Sequence, residues 1–329
     1  MQFLYILFRE IIFGVIIAWC AILTAFGQST PQPAPLRANI VDTSSRAKVF
    51  AEGVVSTPYT EWATSFTPDG KTVYFSRGAV YWTMCFSKMV DGKWAKPQVV
   101  NISGRWTDTD PFITPDGKRI FFISNRPPEG MPQDKPQPNY HIWYADKLSG
   151  DDWSEPHHLD TAINLKGGNN FGISVSRSGD LYFCSRDRGG HSGMSSYYAK
   201  WLGDHFDKPQ LLALRGNEEI QDPFIAPDES YLIFESGPDL YICYKNGDGW
   251  SPAQNLGKQV NNGDYNSSPC ISPDGKMLYY STGRIQGFYK KRSPKDPALN
   301  YDEVQKESEG IFNGMDNILM IPVNIPKNG

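Results

Sequence analysis

The sequence lacks the short motifs that announce a familiar chemistry. It contains no Gly-x-Ser-x-Gly elbow, no His-Glu-x-x-His pair, no Walker loop and no EF-hand loop. Hydrolases, zinc proteases, nucleotide-binding enzymes and calcium sensors built on those signatures are therefore excluded. Cysteine is scarce, with five residues in 329 and no Cys-x-x-Cys pair, which argues against zinc knuckles and thioredoxin-like redox chemistry. Cys85, Cys184, Cys243 and Cys270 each sit inside an apolar run, as small buried thiols do, and no disulfide pairing can be assigned to them. Neither sign of charge dominates: 32 basic residues face 36 acidic ones, for a net charge of −4. Without a basic field, nucleic acid is not an expected partner. The adjacent His157 and His158 would point to opposite faces of a strand and make a poor metal pair.

What the sequence does have is turn residues and rings. It carries 30 Gly, 25 Pro and 13% aromatics, a globular composition rather than a disordered one. One long apolar run, Ile11 to Phe26, ends at Ala25-Phe26-Gly27 with small residues at alternate positions. That layout predicts a signal peptide over residues 1–27, cleaved after Gly27, and so an exported protein, periplasmic or secreted. An uncleaved leader, lengthened by Phe3 to Phe8, would be its only means of membrane attachment. Residues 28–44 open with the Pro-rich Gln28 to Pro35 and read as a linker, leaving residues 45–329 as the folded domain.

Within that domain a unit repeats. Four segments read Ser65-Phe-Thr-Pro-Asp-Gly70, Phe112-Ile-Thr-Pro-Asp-Gly117, Phe224-Ile-Ala-Pro-Asp-Glu229 and Cys270-Ile-Ser-Pro-Asp-Gly275, with a degenerate fifth at Ser174-Val-Ser-Arg-Ser-Gly179. The steps between Pro68, Pro115, Arg177, Pro227 and Pro273 are 47, 62, 50 and 46 residues, a period that belongs to propeller blades. Proline presets φ and Asp-Gly tolerates unusual backbone angles, so each Pro-Asp-Gly predicts a hairpin. An apolar second strand follows each turn, as at Val73-Tyr-Phe75 and Ile120-Phe-Phe122. A third strand comes next, at Val80-Tyr-Trp82, His141-Ile-Trp-Tyr144, Ser196-Tyr-Tyr198, Leu240-Tyr-Ile-Cys243 and Ile318-Leu-Met-Ile321. Edge strands are expected at Trp94–Pro97, Trp153–Pro156, Phe206–Pro209 and Trp250–Pro252, where an outermost strand tolerates proline. Four edges for five units leave the last unit short. Lys48 to Val55 would supply the missing strand and close the ring, removing exposed sheet edges. The expected fold is an all-β, five-bladed β-propeller closed by an N-terminal strand pairing into the last blade. A sixth blade would have to hide in residues 284–315, which offer no paired apolar runs.

These repeats resemble the TolB-type propeller repeat, a WD-repeat relative marked by its Pro-Asp-Gly hairpin. The resemblance runs from about Val49 to Val323. It is best at Trp250-Ser-Pro-Ala-Gln-Asn-Leu-Gly257 leading to Ser272-Pro-Asp-Gly275, at Ser124-Asn-Arg-Pro127 and at Ser185-Arg-Asp-Arg-Gly-Gly190. Arg177-Ser178 in place of Pro-Asp, and Glu229 in place of Gly, depart from the pattern. The resemblance implies an exported module of the cell envelope that binds or scaffolds, and the family also has enzymatic members.

In such a ring, the loops leading into each first strand share a face with the loops after each second strand. Two columns align there: Glu61, Asp108, Asn170, Ile220 and Asn266, then Ala63, Asp110, Gly172, Asp222 and Ser268. Arg77, Arg126, Arg186, Arg188 and Arg284 follow the second strands, and His191 lies beside Gly189-Gly190. Such a ring of carboxylates, amides and guanidiniums suits a polar ligand. Alternatively, the arginines and acids brace neighbouring blades and cap turns. Trp62 and Tyr265, in irregular loops, are the aromatic candidates for ligand contact. Trp94, Trp153, Phe206 and Trp250 recur once per blade, as packing between blades would require. The expected partner is an envelope protein or a glycan. The alternative is a glycosidase or lyase with catalytic acids among Glu61, Asp108, Asp110 and Asp222. No cofactor is expected, although ligand type alone would admit calcium at Asp108, Asp110 and Asp222.

Overall fold

The computed structural model describes residues 39–78, 81–216, 219–262, 265–285 and 292–326. The predicted signal peptide and most of the linker lie outside the described residues. Five antiparallel sheets follow one another along the chain as the blades of a propeller. Their three inner strands are Thr60–Phe66, Thr72–Gly78 and Thr83–Val90 in blade 1, and Asp108–Ile113, Arg119–Ser124 and His141–Asp146 in blade 2. Blade 3 has Asn169–Val175, Leu181–Arg186 and Met194–Ala199. Blade 4 has Gln221–Ile225, Tyr231–Ser236 and Asp239–Asn246, and blade 5 has Asn266–Ile271, Met277–Thr282 and Asn317–Pro322.

The Pro-Asp-Gly turns work as local chemistry dictates. In blade 1, Thr67 Oγ1 and the Lys71 amide both donate to Asp69 Oδ1, at 2.6 and 3.0 Å, while Gly70 takes φ +67°. Thr114 with Asp116 and Ser272 with Asp274 repeat the arrangement. The two aberrant turns compensate each other. The Arg177 amide donates to the Pro227 carbonyl at 2.8 Å, and Ser178 Oγ donates to Glu229 Oε1 at 2.6 Å. That contact holds Glu229 at φ +58°, where glycine would ordinarily stand.

Ring closure occurs as the repeat count requires, but over a shorter ladder than Lys48 to Val55. Lys48 pairs with Met320 and Val49 with Leu319, and the Phe50 amide donates to the Ile318 carbonyl at 2.8 Å. At Ala51 the chain turns away with φ +44°. Ser56 then substitutes for a strand residue: its Oγ donates to the Ile318 carbonyl and accepts from the Ile318 amide, both at 3.1 Å.

The edge strands also shift. Short outer strands form before the prolines, at Lys93–Trp94 and Gly249–Trp250, and further outer ladders form beyond them, at Gln98–Val99, His157–His158, Gln210–Leu211 and Gln254–Asn255. Proline has no amide to donate, so regular pairing resumes only past it. The residues before it face inward: Trp153 is 2% exposed and meets Tyr74 of blade 1 edge-on at 5.9 Å, and Trp94 packs edge-on against Phe50 at 5.5 Å. The third strand of blade 1 runs over Thr83–Val90; Val80, where the sequence places its start, lies outside the described residues, and Trp82 packs against Trp62 and stacks on Tyr140. The four cysteines are buried and free. In the 284–315 insertion the described residues hold one exposed helix, Tyr301–Ser308, started by an Asn300–Glu303 capping box. No helix among the described residues is long and apolar enough to cross a membrane.

Phe50 is 3% exposed and touches Phe66, Trp94 and Tyr279, so the closing segment is packed like core. Phe50→Ala is expected to lower unfolding stability by about 3–5 kcal/mol, read by urea titration. A change within 0.5 kcal/mol, as roughly expected of surface positions, would show that closure contributes little.

Candidate functional site

Each first strand breaks its register once, and the break falls in the second aligned column. The shifts lie between Trp62/Ser65, Thr109/Phe112, Phe171/Ser174, Gln221/Phe224 and Ser267/Cys270. The bulged residues Ala63, Asp110, Gly172, Asp222 and Ser268 have φ between +46° and +53°. They line the narrow central channel together with Thr64, Pro111, Pro223 and Pro269. Such bulges turn amides toward the neighbouring blade. Asp110 N donates to Ser76 Oγ, and Asp222 N to Cys184 Sγ, each at 2.9 Å. In blade 2 the residue matching Ser76 is Ile123, which can accept nothing. There Asp110 Oδ2 accepts the Gly172 amide of blade 3 at 2.9 Å. Asp222 Oδ2 likewise accepts both the amide and the hydroxyl of Ser268 in blade 5, at 3.0 and 2.9 Å.

The two channel carboxylates meet around Gly172. Asp110 is bonded to its amide, and Asp222 Oδ1 lies 2.5 Å from where a Cβ on that residue would be. Burial raises both acids, and Asp110 adds to the rise of Asp222, which reaches about 6.

The first column has a different occupation. Glu61 is fully buried, accepting from Thr57 and from Arg77, whose guanidinium lies 2.9 Å away. Asp108 is equally buried, accepting from Ser124, Ser103 and Arg126, the last at 2.7 Å. Asn170 bonds Asn164 at 3.0 Å and Asn266 bonds the Pro238 carbonyl at 3.1 Å. Arg188 donates to the carbonyls of Ile163 and Ala162. These groups tie loops to blade ends. Asp108 is therefore held away from Asp110 and Asp222 by its own cation. Among the described residues no three His, Cys, Asp or Glu converge as a metal site. His191 is exposed in its loop, and Arg284 lies over the Phe312 ring at 5.2 Å.

Above the constriction the channel widens into a cavity of about 370 Å³. Its walls include Trp62, Trp82, Phe171 and Tyr265, the carboxylates of Asp110, Asp222 and Asp316, and Arg186. Trp62 Nε1 donates to Asp110 Oδ1 at 3.1 Å, joining the aromatic wall to the acids. Of the predicted site residues, Trp62, Asp110, Arg186, Asp222 and Tyr265 are brought together here. Trp82, Phe171 and Asp316 were not anticipated, because their positions reach the cavity only through the ring's curvature.

Glu235 is the other group that pattern reading passed over. It occupies the position of Ser76 and Cys184, at the end of the apolar run Tyr231-Leu-Ile-Phe234, and an acid there was itself a signal. Its side chain is 1% exposed, and neither carboxyl oxygen makes a close hydrogen bond among the described residues, with the Tyr265 hydroxyl standing beside it as a donor. Burial first, and the nearby Asp222 next, push its pKa up to about 9. Tyr265 stands beside it and is itself raised by burial and by Glu235; burial raises Asp316 too.

Two outcomes follow. Gly172→Ala would drive a Cβ into Asp222, whose Cα is 2.9 Å away, at a φ of +49°; a loss of about 2 kcal/mol or more is expected in denaturant unfolding. Folding raises the Glu235 pKa from 4.5 to about 9, so the folded chain binds that proton more tightly than the unfolded one. Its contribution is fully present below pH 4.5 and declines as pH rises toward 9. Glu235→Gln should flatten the fall in unfolding free energy across that window, by an amount on the order of a few kcal/mol. Parallel pH profiles for variant and parent would contradict it.

No protein-family model matches the chain, and no curated protein is similar to it. Among solved structures, an α-L-arabinofuranosidase from Lactobacillus brevis aligns at TM-score 0.51 and 11% identity, over 84% of this chain and 94% of that one. A protein of unknown function from Dyadobacter fermentans aligns at 0.49 and 13% identity, over 88% of this chain and all of that one. TolB from Acinetobacter baumannii aligns at 0.44 and 17% identity over 80% of this chain, which spans 54% of TolB's length. The similarity is one of architecture: the chain is a five-bladed β-propeller.

Proposed function

We propose that the chain is an exported binding module that takes a polar ligand of the glycan class at the mouth of its central channel. The observation that carries this reading is the composition of the 370 Å³ cavity, in which Trp62, Trp82, Phe171 and Tyr265 face the same space as Asp110, Asp222 and Arg186. Aromatic faces suit the C–H surfaces of a sugar ring, while carboxylates and a guanidinium take its hydroxyls. The volume falls within the usual range of about 300–1,000 Å³ for small-molecule sites. Export rests on the leader's sequence pattern. The braced Glu61–Arg77 and Asp108–Arg126 pairs support the cavity's rim rather than contributing free groups.

A hydrolytic reading of the same cavity has one observation in its favour. Asp110 and Asp222 face one another across Gly172, and Asp222 is raised to about 6, as a carboxyl that donates protons near neutrality would be.

Titration of the purified chain against a glycan panel, with product analysis of each hit, tests both. Binding without turnover is expected. Tyr265→Ala, at a side chain already 48% exposed, should weaken it about tenfold or more with the melting temperature unchanged. Turnover abolished by Asp222→Asn would replace the binding reading with the hydrolytic one. Absence of binding across the panel would overturn both.

A further inference from the structure

The cavity's charge is lopsided. Asp110, Asp222 and Asp316 line it, with Arg186, on the second strand of blade 3, as the positive side chain among its walls. Behind them stands Glu235, buried and with neither oxygen in a close hydrogen bond among the described residues. Its counterparts explain why this is unusual. Ser76 and Cys184 each accept the bulged amide of the next blade. The amide that Glu235 would accept belongs to Ser268, and Asp222 has taken it. Glu235 therefore accepts no amide from the next blade, yet a carboxyl sits where a small hydroxyl or thiol serves elsewhere. A carboxyl without a close hydrogen bond in an apolar strand lowers stability unless something else engages it.

The groups facing Glu235 are Asp222 from its own blade and Tyr265 and Asp316 from blade 5. None is a cation. Trp62, Trp82 and Tyr265 meanwhile present aromatic faces to the same space. Carboxylates backed by aromatic rings form the environment in which a protonated or quaternary amine binds well.

The geometry points to a cationic subsite: Asp222 and Asp316 receive an ammonium group of the ligand against the rings of Trp62, Trp82 and Tyr265, with the buried Glu235 behind them as a further carboxyl. This rests on the channel-mouth reading and narrows it to amino sugars, or other glycans bearing a positive nitrogen. Arg186 is left to meet the hydroxyls of the same ligand. When the ammonium seats, the carboxyl of Glu235 gives up its proton to solvent and becomes the counter-ion. No bond other than that O–H is broken.

The test compares two probes by titration calorimetry at pH 7: an N,N,N-trimethylated chitotetraose, whose charge is fixed, and its neutral N-acetylated counterpart. The trimethylated probe is expected to bind at least tenfold more tightly. Titrations in two buffers of different ionisation enthalpy should show release of close to one proton per molecule bound. Glu235→Gln should bring the affinity ratio toward one and abolish the proton release, and Asp316→Asn should lower the ratio without abolishing the release. Equal affinity, or preference for the N-acetylated probe, would overturn the cationic subsite while leaving a glycan site standing. Binding of neither probe, with neutral glycans of the panel bound, would also overturn it. Failure of the whole panel would remove the channel-mouth reading as well. A preference for the cation with no proton release would remove Glu235 from the subsite.

Discussion

The structure depends on how four of the five bulged residues around the channel satisfy their amides. A bulge removes one residue from the ladder of its own sheet, and a buried amide left without an acceptor is expensive. This chain supplies acceptors from the neighbouring blade: a hydroxyl from Ser76, a thiol from Cys184 and carboxylates from Asp110 and Asp222. The same bonds that join blade to blade therefore place two carboxylates in the channel. Architecture and chemistry share one set of atoms, which is why Gly172 and Asp222 fit so closely.

Two populations of acid result. Glu61 and Asp108 are enclosed with arginines, and such a pair acts mainly by holding a loop in one conformation, since desolvation offsets much of the attraction. For Asp110, Asp222, Asp316 and Glu235 no ion pair with an arginine is seen among the described residues. Burial raises all four, and neighbouring acids add to the rise of Asp222 and Glu235. The first group ties loops to the blade ends, and the second lies in and behind the cavity wall.

The repeat was legible because it is local. Pro-Asp-Gly, the aromatic run after it and the spacing between copies state hairpin, strand and blade without reference to distant residues. Closure by the segment near Lys48 followed from counting strands. The precise ladder did not: the turn at Ala51 and the use of Ser56 as a surrogate strand residue depend on how the last blade presents Ile318. The outer strands slipped past their prolines for a similar reason. Trp94 and Trp153 fill the space between blades while still pairing with Met89 and Lys147, and the longer outer ladder forms only past the proline.

For the site, the column of Ala63, Asp110, Gly172, Asp222 and Ser268 could be aligned from the repeat alone, since equivalent residues in a ring share a depth and a face. Which arginines and acids cancel one another could not, because Arg77 meets Glu61 from the next strand and Arg188 reaches carbonyls some 25 residues back. Glu235 stood in plain view as an acid in an apolar strand, yet its lack of a close hydrogen bond exists only in three dimensions. By itself the sequence determined the hairpins, the number of blades and the residues at channel depth, all set by short-range geometry repeated five times. Only the tertiary structure decided which charges are neutralised and which remain, because that depends on the distances between strands that the ring brings together.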